Sequence, residues 1–446
     1  MASTEGTDRP PQADVPTAHW NPVTRIAFRF TFLYFGLFCL IYPDLIFEFL
    51  GRLGKLFPTS ASYTQALLLK PVISWIGSQV FGIDVVAHED SISGDQTYFW
   101  VLLLLILSVA LVGTIGWTAL DRRRGAYIRA HTWLLLFLRL CLAGQFLAYG
   151  LAKVIPTQMP PPPLARLVQP YGQFSPMAVL WNQIGVSQPY EILLGTAELT
   201  AGLLLFLPRT ALVGAMLGLV CSTQVFVIDM TYDVSAKIIS GHLVLLCLIL
   251  LAPHARRLFD VLVLNRTPGP APTRPPLSSV RGNRIAVLLQ AALGIWLLTS
   301  GILLGLQRWD SGPGAPEPAL YGIWDVTEFV VDGTPAPPLT TDENRWQRVI
   351  FDKQNATIQR MDSSGVPVLA VVDANRIAMA MFPQQPGAAP TPLAHFTFER
   401  PMPDLLRLDG ESQGHRVTMS LRRIDPNSFP LRARGFHWRQ EYPYFR

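Results

Sequence analysis

Long apolar stretches constrain this 446-residue chain more than any other feature. A helix that crosses the hydrocarbon core of a bilayer needs about 20 mostly apolar residues. Only 15% of the residues are charged, against about 25% in ordinary soluble domains, which excludes a typical soluble enzyme or a disordered chain. Seven stretches predict membrane-spanning helices: Ile26–Ile41, Tyr98–Leu120, Trp133–Ala152, Ile192–Leu207, Ala211–Ile228, Ile238–Ala252 and Ile285–Leu306.

The arginines predict how these spans are oriented, because Lys and Arg accumulate in short cytoplasmic loops. Four arginines lie in residues 121–130 and six in residues 253–284, and both loops fall on the same side as Arg209 in a seven-span alternation. We therefore expect a multi-pass protein of the bacterial cytoplasmic (inner) membrane, with a cytoplasmic N-terminus and a periplasmic C-terminal domain. The net charge of +5 is then explained by topology, and nucleic acid is not an expected partner.

Composition divides the chain into segments. The predicted segments are a disordered cytoplasmic tail (1–25), two spans with an outer loop (26–130), a four-helix module (131–266), a Pro-rich cytoplasmic linker (267–283), the last span (284–307), a hinge (308–318) and an outer domain (319–446). Lys70, Pro71 and Ser78 interrupt the apolar piece Gln65–Val85, which predicts an interfacial helix rather than an eighth span. The Pro-rich outer loop 156–190 predicts a structured cap.

The outer domain has short alternating runs between turn residues, a pattern typical of an all-β meander that closes into a barrel or sandwich. The predicted strands are Tyr321–Val331, Trp346–Asp352, Ala356–Met361, Pro367–Val372, Arg376–Met381, His395–Phe398, Leu405–Leu408, Val417–Arg422 and Leu431–Trp438. Gly322-Ile323-Trp324 is similar to the GxW signature of lipocalin-type barrels, so Trp324 either plugs the barrel end or adjoins a small apolar ligand. His437 is interpreted as a packed strand histidine.

Charged residues inside a membrane are costly to bury and therefore mark candidate sites. Counting about 1.5 Å per residue from the span ends places Arg139 and Glu198 at similar depths, which allows an ion pair between antiparallel helices. Such a pair would act either as a structural clamp or as a contact for a proton or a quinone head. Gln145 and Gln224 share a deeper level, where hydrogen bonding between helices is the expected role.

A second polar layer is expected at the outer ends of the spans. It comprises Lys153, Glu191, Asp229, Asp233, Lys237 and, deeper in its span, His242. Solvation at the interface would explain Lys153 and Glu191, whereas His242 titrates near neutral pH in its unperturbed form. The candidate catalytic residues are Arg139, Glu198 and His242, and the candidate cofactor-binding residues are Gln145, Tyr149, Lys153, Gln224, Asp229, Asp233 and Lys237. No metal-ligand spacing is present, and the four cysteines lie in apolar stretches without a CxxC pair.

Several strings resemble the DoxX/DoxD-like family of bacterial membrane proteins. Residues 139–153 (RLCLAGQFLAYGLAK) and Glu198 in AELTAGLLLFLPRT match its four-helix module, and SGDQT (93–97), PYGQFSPM (170–177), YDVSAK (232–237) and RGFHW (434–438) resemble long members with an outer C-terminal domain. The resemblance implies a link to quinone-coupled sulfur oxidation or to membrane complexes that handle oxidative or thiol stress. The three additional spans and the outer β-domain depart from the short module.

Three functional hypotheses follow, and whether the protein is an enzyme stays open. The first is a redox component that binds a quinone or another lipid-soluble carrier in the bundle and meets a periplasmic or membrane redox partner. The second is a non-enzymatic assembly or envelope-stress factor whose β-domain binds a periplasmic partner or lipid, since no catalytic triad, nucleotide loop or metal motif is present. The third is a transporter, against which the absence of a visible inverted repeat counts.

Overall fold

The computed structural model describes residues 20–58, 63–269, 275–383 and 388–445. Most of the predicted N-terminal tail and residues 270–274 of the Pro-rich linker lie outside these residues. Helix α1 begins at Pro22, where the Asn21 side chain accepts a hydrogen bond from the Thr24 amide, so residues 22–25 belong to the first helix and not to the tail.

Within the described residues, seven helices are long and apolar enough to cross a membrane, which confirms the predicted number and order of the spans. They are α1 (Pro22–Ile41), α4 (Thr97–Leu120), α5 (Ile128–Val154), α8 (Gln188–Phe206), α9 (Ala211–Thr231), α10 (Lys237–Leu251) and α12 (Val280–Ser311). A 3₁₀ turn, Ala252–His254, continues α10 into the short amphipathic helix α11 (Ala255–Leu262). The protein is therefore a multi-pass membrane protein whose apolar helices contact the lipid bilayer.

Shorter helical pieces fill the long loops. They are a 3₁₀ segment (Phe47–Leu56), α2 (Thr64–Leu67), α3 (Lys70–Ile76), a π segment (Gly77–Phe81), α6 (Leu164–Val168), a 3₁₀ turn (Tyr171–Gln173) and α7 (Pro176–Gly185). The piece predicted as one interfacial helix, Gln65–Val85, is instead divided among α2, α3 and the π segment. None of these pieces is long enough to span the bilayer.

Helix α5 is the centre of the bundle. Buried residues make up 61% of its apolar window, against 22% for α9 and for α12, which both expose most of their surface. It packs most extensively against α8 and also contacts α1, α10 and α12. The predicted four-helix module, α5 with α8, α9 and α10, therefore contains the most buried helix of the molecule.

The C-terminal domain is a closed antiparallel β-barrel of eight strands, extended by one short hairpin strand. The strands are β1 (Gly322–Val331), β2 (Thr334–Pro335), β3 (Trp346–Phe351), β4 (Ala356–Arg360), β5 (Gly365–Asp373), β6 (Arg376–Met381), β7 (Thr391–Met402), β8 (Leu405–Ser412) and β9 (His415–Ile424). Neighbours in the chain pair in order, except that β1 pairs with β2, with β3 and with β9, which closes the barrel. The fold class predicted from the sequence is confirmed.

The predicted ninth strand, Leu431–Trp438, is wrong. Residues Pro430–Ala433 form the short helix α13, and residues 434–445 are irregular. The barrel is already closed by the pairing of β1 with β9, so this segment has no strand edge to join. His437 is accordingly an exposed residue whose Nδ1 lies 2.8 Å from the Gly435 carbonyl, and not a packed strand histidine.

The barrel rests on the outer loop of the bundle. Leu164 on α6 is buried against Ile323 and Ile350, two outward-facing residues of the barrel wall. The amide of Leu164 donates to Asp352 Oδ2 at 2.7 Å, and Gln359 Nε2 donates to the Val168 carbonyl at 3.1 Å. The loop between α5 and α8 is therefore structured, as predicted, and joins the two parts of the molecule.

Candidate functional site

A buried ion pair joins the two most closely packed helices. Lys153 Nζ on α5 donates to Glu198 Oε2 on α8 at 2.6 Å, and both residues are about 95% buried, at 6% and 5% exposed. The Lys153 ammonium also lies 5.8 Å from the centre of the Tyr149 ring, one turn earlier on α5. Lys153 and Glu198 were placed in different layers by the sequence, with Lys153 solvated at the interface. The structure instead brings them together away from solvent.

Glycines determine which residues of α5 and α8 face each other. A Cβ at Gly150 would lie 2.5 Å from the Leu199 amide nitrogen, and a Cβ at Gly202 would lie 3.0 Å from the amide nitrogen of Leu147. Small residues let helix backbones approach closely in membranes. This register sets Glu198 level with residues 150–153 of α5, and so opposite Lys153.

The same register shows that the predicted Arg139–Glu198 pair is wrong. Arg139 lies eleven positions before Gly150, about 16 Å away along a helix that rises about 1.5 Å per residue. Its guanidinium instead donates through Nη2 to Gln290 Oε1 on α12, and Arg139 Nε is buried without a partner. The depth count failed because it took the ends of the two spans to be level. Gly202, near the end of α8, instead packs against Leu147, nineteen positions into α5.

Besides Arg139 Nε, three buried side-chain atoms on α5, α8 and α9 have no hydrogen-bond partner among the described residues. They are Gln145 Nε2 on α5, Glu191 Oε2 on α8 and Asp229 Oδ2 on α9. Glu191 is fully buried and its other oxygen accepts from the Met159 amide at 2.9 Å, so it is not solvated at the interface as expected. The Lys153 charge acts on both Glu191 and Asp229. Carboxylates thus outnumber the single buried ammonium at this level of the bundle.

Gln224 lies on the outer surface of α9 and not against Gln145. It is exposed, and among the described residues it forms none of the hydrogen bonds between helices that were expected of it. Equal depth did not bring them together because Gln224 points to the other side of its helix. With Leu219, Val220, Thr223, Val227 and Ile228 it lines a shallow groove of about 480 Å³ on the lipid-facing side of α9.

Lys237 belongs to a separate, more exposed group at the start of α10. Its ammonium lies 3.1 Å from Asp233 Oδ1 and 3.7 Å from Asp95 Oδ2. The Asp95 carboxylate also accepts from the amides of Lys237 and Ile238, at 2.9 and 3.0 Å, and so caps the N-terminus of α10. The loop string SGDQT and the string YDVSAK therefore meet here, although the sequence did not identify Asp95 as a partner of Lys237.

His242 is buried between α10 and α1. Its Nδ1 lies 2.6 Å from the Ile238 carbonyl, which can only accept, so this nitrogen carries a hydrogen. In the neutral ring Nε2 then accepts from the Tyr34 hydroxyl at 2.9 Å, and the ring stacks on Phe38 at 3.9 Å. His242 makes no hydrogen bond or ion pair with the other candidate residues.

Acidic side chains of the 44–48 segment approach the same end of α5. Burial is the main cause of a raised pKa of Glu48, about 7, and the neighbouring Asp44 carboxylate adds to the shift. The charge of Arg308 opposes it. Asp44 and Glu48 both act electrostatically on the Tyr149 hydroxyl. Burial and then the charges of nearby groups, including Tyr149, Asp95 and Asp44, raise the pKa of Tyr42. No motif in the sequence pointed to this segment.

A second buried cation, Arg29 on α1, is fully paired at the opposite end of the bundle. Its Nη2 donates to the Tyr127 hydroxyl at 2.7 Å and its Nη1 to the Thr118 hydroxyl at 2.9 Å. Tyr127 in turn donates to Asp121 Oδ2 at 2.7 Å and is the main cause of a lowered pKa of Asp121. This network ties α1 to α4 and α5 through four hydrogen bonds of the guanidinium.

Metal and thiol chemistry find little support in the described part of the chain. Within it, no group of three His, Cys, Asp or Glu side chains is arranged to hold a metal ion. The four cysteines are free thiols, of which Cys39, Cys141 and Cys247 are buried and Cys221 is half-buried. The site is therefore best described as a buried Lys153–Glu198 pair with nearby unpartnered polar atoms.

Comparisons with known proteins give a family but no function. No family model matches the chain, and no solved structure matches it. A segment of 132 residues is 30% identical to the uncharacterized protein YwoB of Bacillus subtilis (strain 168), covering 28% of this chain and 78% of that protein. The chain therefore belongs to the same family as YwoB.

Proposed function

We propose that the helical bundle is a DoxX-like redox module that binds the head group of a quinone, or of a similar lipid-soluble carrier, at the Lys153–Glu198 pair. The observation that carries this proposal is a set of buried polar atoms without partners on α5, α8 and α9, the helices that hold or adjoin the pair: Gln145 Nε2, Glu191 Oε2 and Asp229 Oδ2. A buried polar atom without a partner costs roughly 1–3 kcal/mol, and a bound head group with oxygen atoms would supply the missing partners.

The donors and acceptors fit both redox forms of such a carrier. A quinone offers two carbonyl oxygens that accept hydrogen bonds, and a quinol offers two hydroxyl groups that also donate. Lys153 and Gln145 are donors, whereas Glu191 and Asp229 have free acceptor oxygens when ionised. These carboxylates are also placed to hold or release a proton when the carrier changes its redox state.

The lipid-facing surface of α9 supports access from the bilayer. The groove of about 480 Å³ is lined almost entirely by apolar atoms and carries only two polar side chains, Thr223 and Gln224. An isoprenoid chain is apolar and partitions into the hydrocarbon core, so such a groove suits it. Asp229 follows this groove along α9 and turns inward, where it is buried. The arginine distribution supports placing this end of the bundle on the periplasmic side.

A titration of the full-length protein in quinone-free nanodiscs tests the proposal. Short-chain ubiquinone and menaquinone analogues are added, and binding is followed by quenching of tryptophan fluorescence. The double variant Lys153→Met/Glu198→Gln removes the pair without leaving either charge alone, and we expect it to weaken binding by about tenfold or more, which is roughly 1.4 kcal/mol.

A matched control removes an ion pair of the barrel. Arg348 Nε lies 3.0 Å from Asp325 Oδ1 on neighbouring strands, and Arg348→Met/Asp325→Asn should bind the analogues as tightly as the unmodified protein. Equal affinity of the Lys153/Glu198 double variant and the unmodified protein, or no saturable binding by either, would overturn the proposal.

A further inference from the structure

The segment that follows the barrel exposes an unusual number of aromatic side chains. Phe436, Trp438 and Phe445 are 77%, 91% and 98% exposed, and Tyr442 is 85% exposed. We call residues 430–445 the aromatic tail. Large apolar surfaces that stay exposed in this way mark contact sites for proteins or membranes.

The aromatic tail starts at the end of the barrel that faces the bundle. The first strand begins at Gly322, shortly after the last span, and its Ile323 pairs with Ile424 at the end of β9. The turn after β3 is at the same end, because Phe351 pairs with Gly322 and Gln354 Nε2 donates to the Ser311 carbonyl at the end of α12. The chain therefore leaves the barrel where α12 leaves the membrane.

Contacts at the start of the aromatic tail confirm this position. Phe429, just before the aromatic tail, packs against the cluster that Leu164 of α6 forms with Ile323 and Ile350 of the barrel wall. Arg432 also interacts with Tyr321, just before β1. The aromatic tail thus begins between the barrel and the outer loop of the bundle.

The chemistry of the aromatic tail matches a membrane interface. Trp and Tyr are enriched at the level of the lipid head groups, and Lys and Arg side chains are attracted to anionic lipid surfaces. The aromatic tail carries Arg432, Arg434 and Arg439 against a single acid, Glu441. A protein partner could also use aromatic residues, but the excess of arginine together with this position beside the bilayer favours lipid.

Side chains within the aromatic tail also contact one another. The Arg434 guanidinium lies 4.1 Å from the centre of the Tyr444 ring and donates to Gln440 Oε1 at 3.1 Å. Phe436 and Trp438 pack edge to face at 5.0 Å. We propose that this folded segment is a lipid-binding site, which inserts Phe436 and Trp438 at the interface beside the barrel and binds anionic phospholipid head groups through Arg434 and Arg439.

Fluorescence of the full-length protein in nanodiscs tests this proposal. The Trp438 signal is taken as the difference between the unmodified protein and Trp438→Phe, in discs of phosphatidylcholine and of phosphatidylglycerol, each with and without brominated acyl chains. We expect brominated acyl chains to quench the difference signal at least twofold more strongly in phosphatidylglycerol than in phosphatidylcholine. Added salt should reduce this excess, because salt screens the charges.

Charge variants show whether the arginines cause the preference. Arg434→Glu/Arg439→Glu should abolish the excess quenching in phosphatidylglycerol. Arg376→Glu/Arg407→Glu, which makes the same charge change on exposed barrel strands, should preserve it. If the charge variants of the aromatic tail lose their compact structure, the quenching of the Trp438 difference signal in the otherwise unmodified protein still decides the question. A Trp438 signal that bromine does not quench in either lipid overturns the proposal and favours a protein partner.

Discussion

The bundle and the barrel bury different kinds of side chain. Among the described residues, the barrel core consists of apolar side chains around Trp324, and its buried polar residues are Arg345 and Gln359. The helices bury six ionisable side chains: Arg29, Lys153, Glu191, Glu198, Asp229 and His242. Burying a charge is far more costly than burying an apolar side chain. The bundle therefore carries most of this cost, since Arg345 is the buried charged residue of the barrel among the described residues.

This difference separates a structural part from a candidate functional part. Trp324 fills the barrel: its Nε1 donates to the Leu320 carbonyl at 2.8 Å, and the Arg400 guanidinium lies 5.6 Å from its ring. Every polar atom of that arrangement has an ordinary structural role. The barrel also keeps buried atoms without a hydrogen-bond partner, on Gln347, Arg348, Ser364 and Arg423, but none of them belongs to a carboxylate. In the bundle, two of the atoms without a partner are carboxylate oxygens, on Glu191 and Asp229.

Breaking the buried pair on one side should have the largest effect in the bundle. Lys153→Met leaves the Glu198 carboxylate buried and uncompensated, which should cost about 3–5 kcal/mol of stability. Adding Glu198→Gln should restore most of that loss. Thermal unfolding of the full-length protein in detergent, followed by circular dichroism, measures both variants. A single variant as stable as the unmodified protein would mean that the Lys153–Glu198 pair is absent.

An apolar substitution should have a comparable effect on the barrel. Trp324→Ala removes the largest buried side chain of the core and should destabilise the barrel by about 3–5 kcal/mol. Trp324→Phe should lose less, because only the indole hydrogen bond and part of the ring disappear. Hydrogen exchange of barrel and bundle peptides, measured separately, should show faster exchange in the barrel alone. Equally accelerated hydrogen exchange in the barrel and in the bundle would contradict the separation of the two parts.

The close packing of α5 and α8 should be sensitive to one methyl group. Gly150→Ala places a Cβ 2.5 Å from the Leu199 amide nitrogen, and the strain should cost about 1–3 kcal/mol. Gly116→Ala is the matched control, since nothing lies within 4 Å of its Cβ. We expect the melting temperature to fall for Gly150→Ala and to stay level or rise for Gly116→Ala. A neutral Gly150→Ala would show that the two helices are farther apart.

The smallest expected effect concerns the acidic segment beside α5. The pKa of Glu48 is raised to about 7, while an unfolded glutamate titrates near 4.3. The folded state therefore loses stability as pH rises from about 4.5 to 7. Glu48→Gln should raise the melting temperature by a few degrees at pH 8 and change it little at pH 4. The control Glu343→Gln, in an exposed barrel turn, should leave the melting temperature unchanged at both pH values. A rise in the melting temperature of Glu48→Gln that occurs only at low pH would contradict the direction of the Glu48 pKa shift.

Local patterns in the sequence predicted most of the fold. Apolar length is a property of each span by itself, and alternation is a property of each strand, so Thr97–Leu120 and Arg376–Met381 were found nearly to the residue. Leu431–Trp438 has the same alternation but follows the strand that closes the barrel, which the pattern alone does not reveal.

The candidate site was predicted less well because it depends on relations between helices. Lys153, Glu198, Gln145 and Asp229 were all named from the sequence as polar residues in apolar spans. Their partners depend on the register of α5 against α8, which the close contacts at Gly150 and Gly202 determine, and on rotation about each helix axis. Depth alone therefore allowed a pair of Glu198 with Arg139 and set Gln145 level with Gln224. The structure instead pairs Glu198 with Lys153 and places Gln224 on the exposed side of α9.

The quinone content of the full-length protein purified from its native membranes tests the central claim most directly. Mild detergent extraction followed by organic extraction and mass spectrometry identifies any retained carrier. If the buried Lys153–Glu198 pair binds a carrier, the unmodified protein and Arg348→Met/Asp325→Asn retain it, and Lys153→Met/Glu198→Gln loses it while still folded. Absence of a carrier from the unmodified protein, or equal content in the folded Lys153/Glu198 double variant, would contradict the claim.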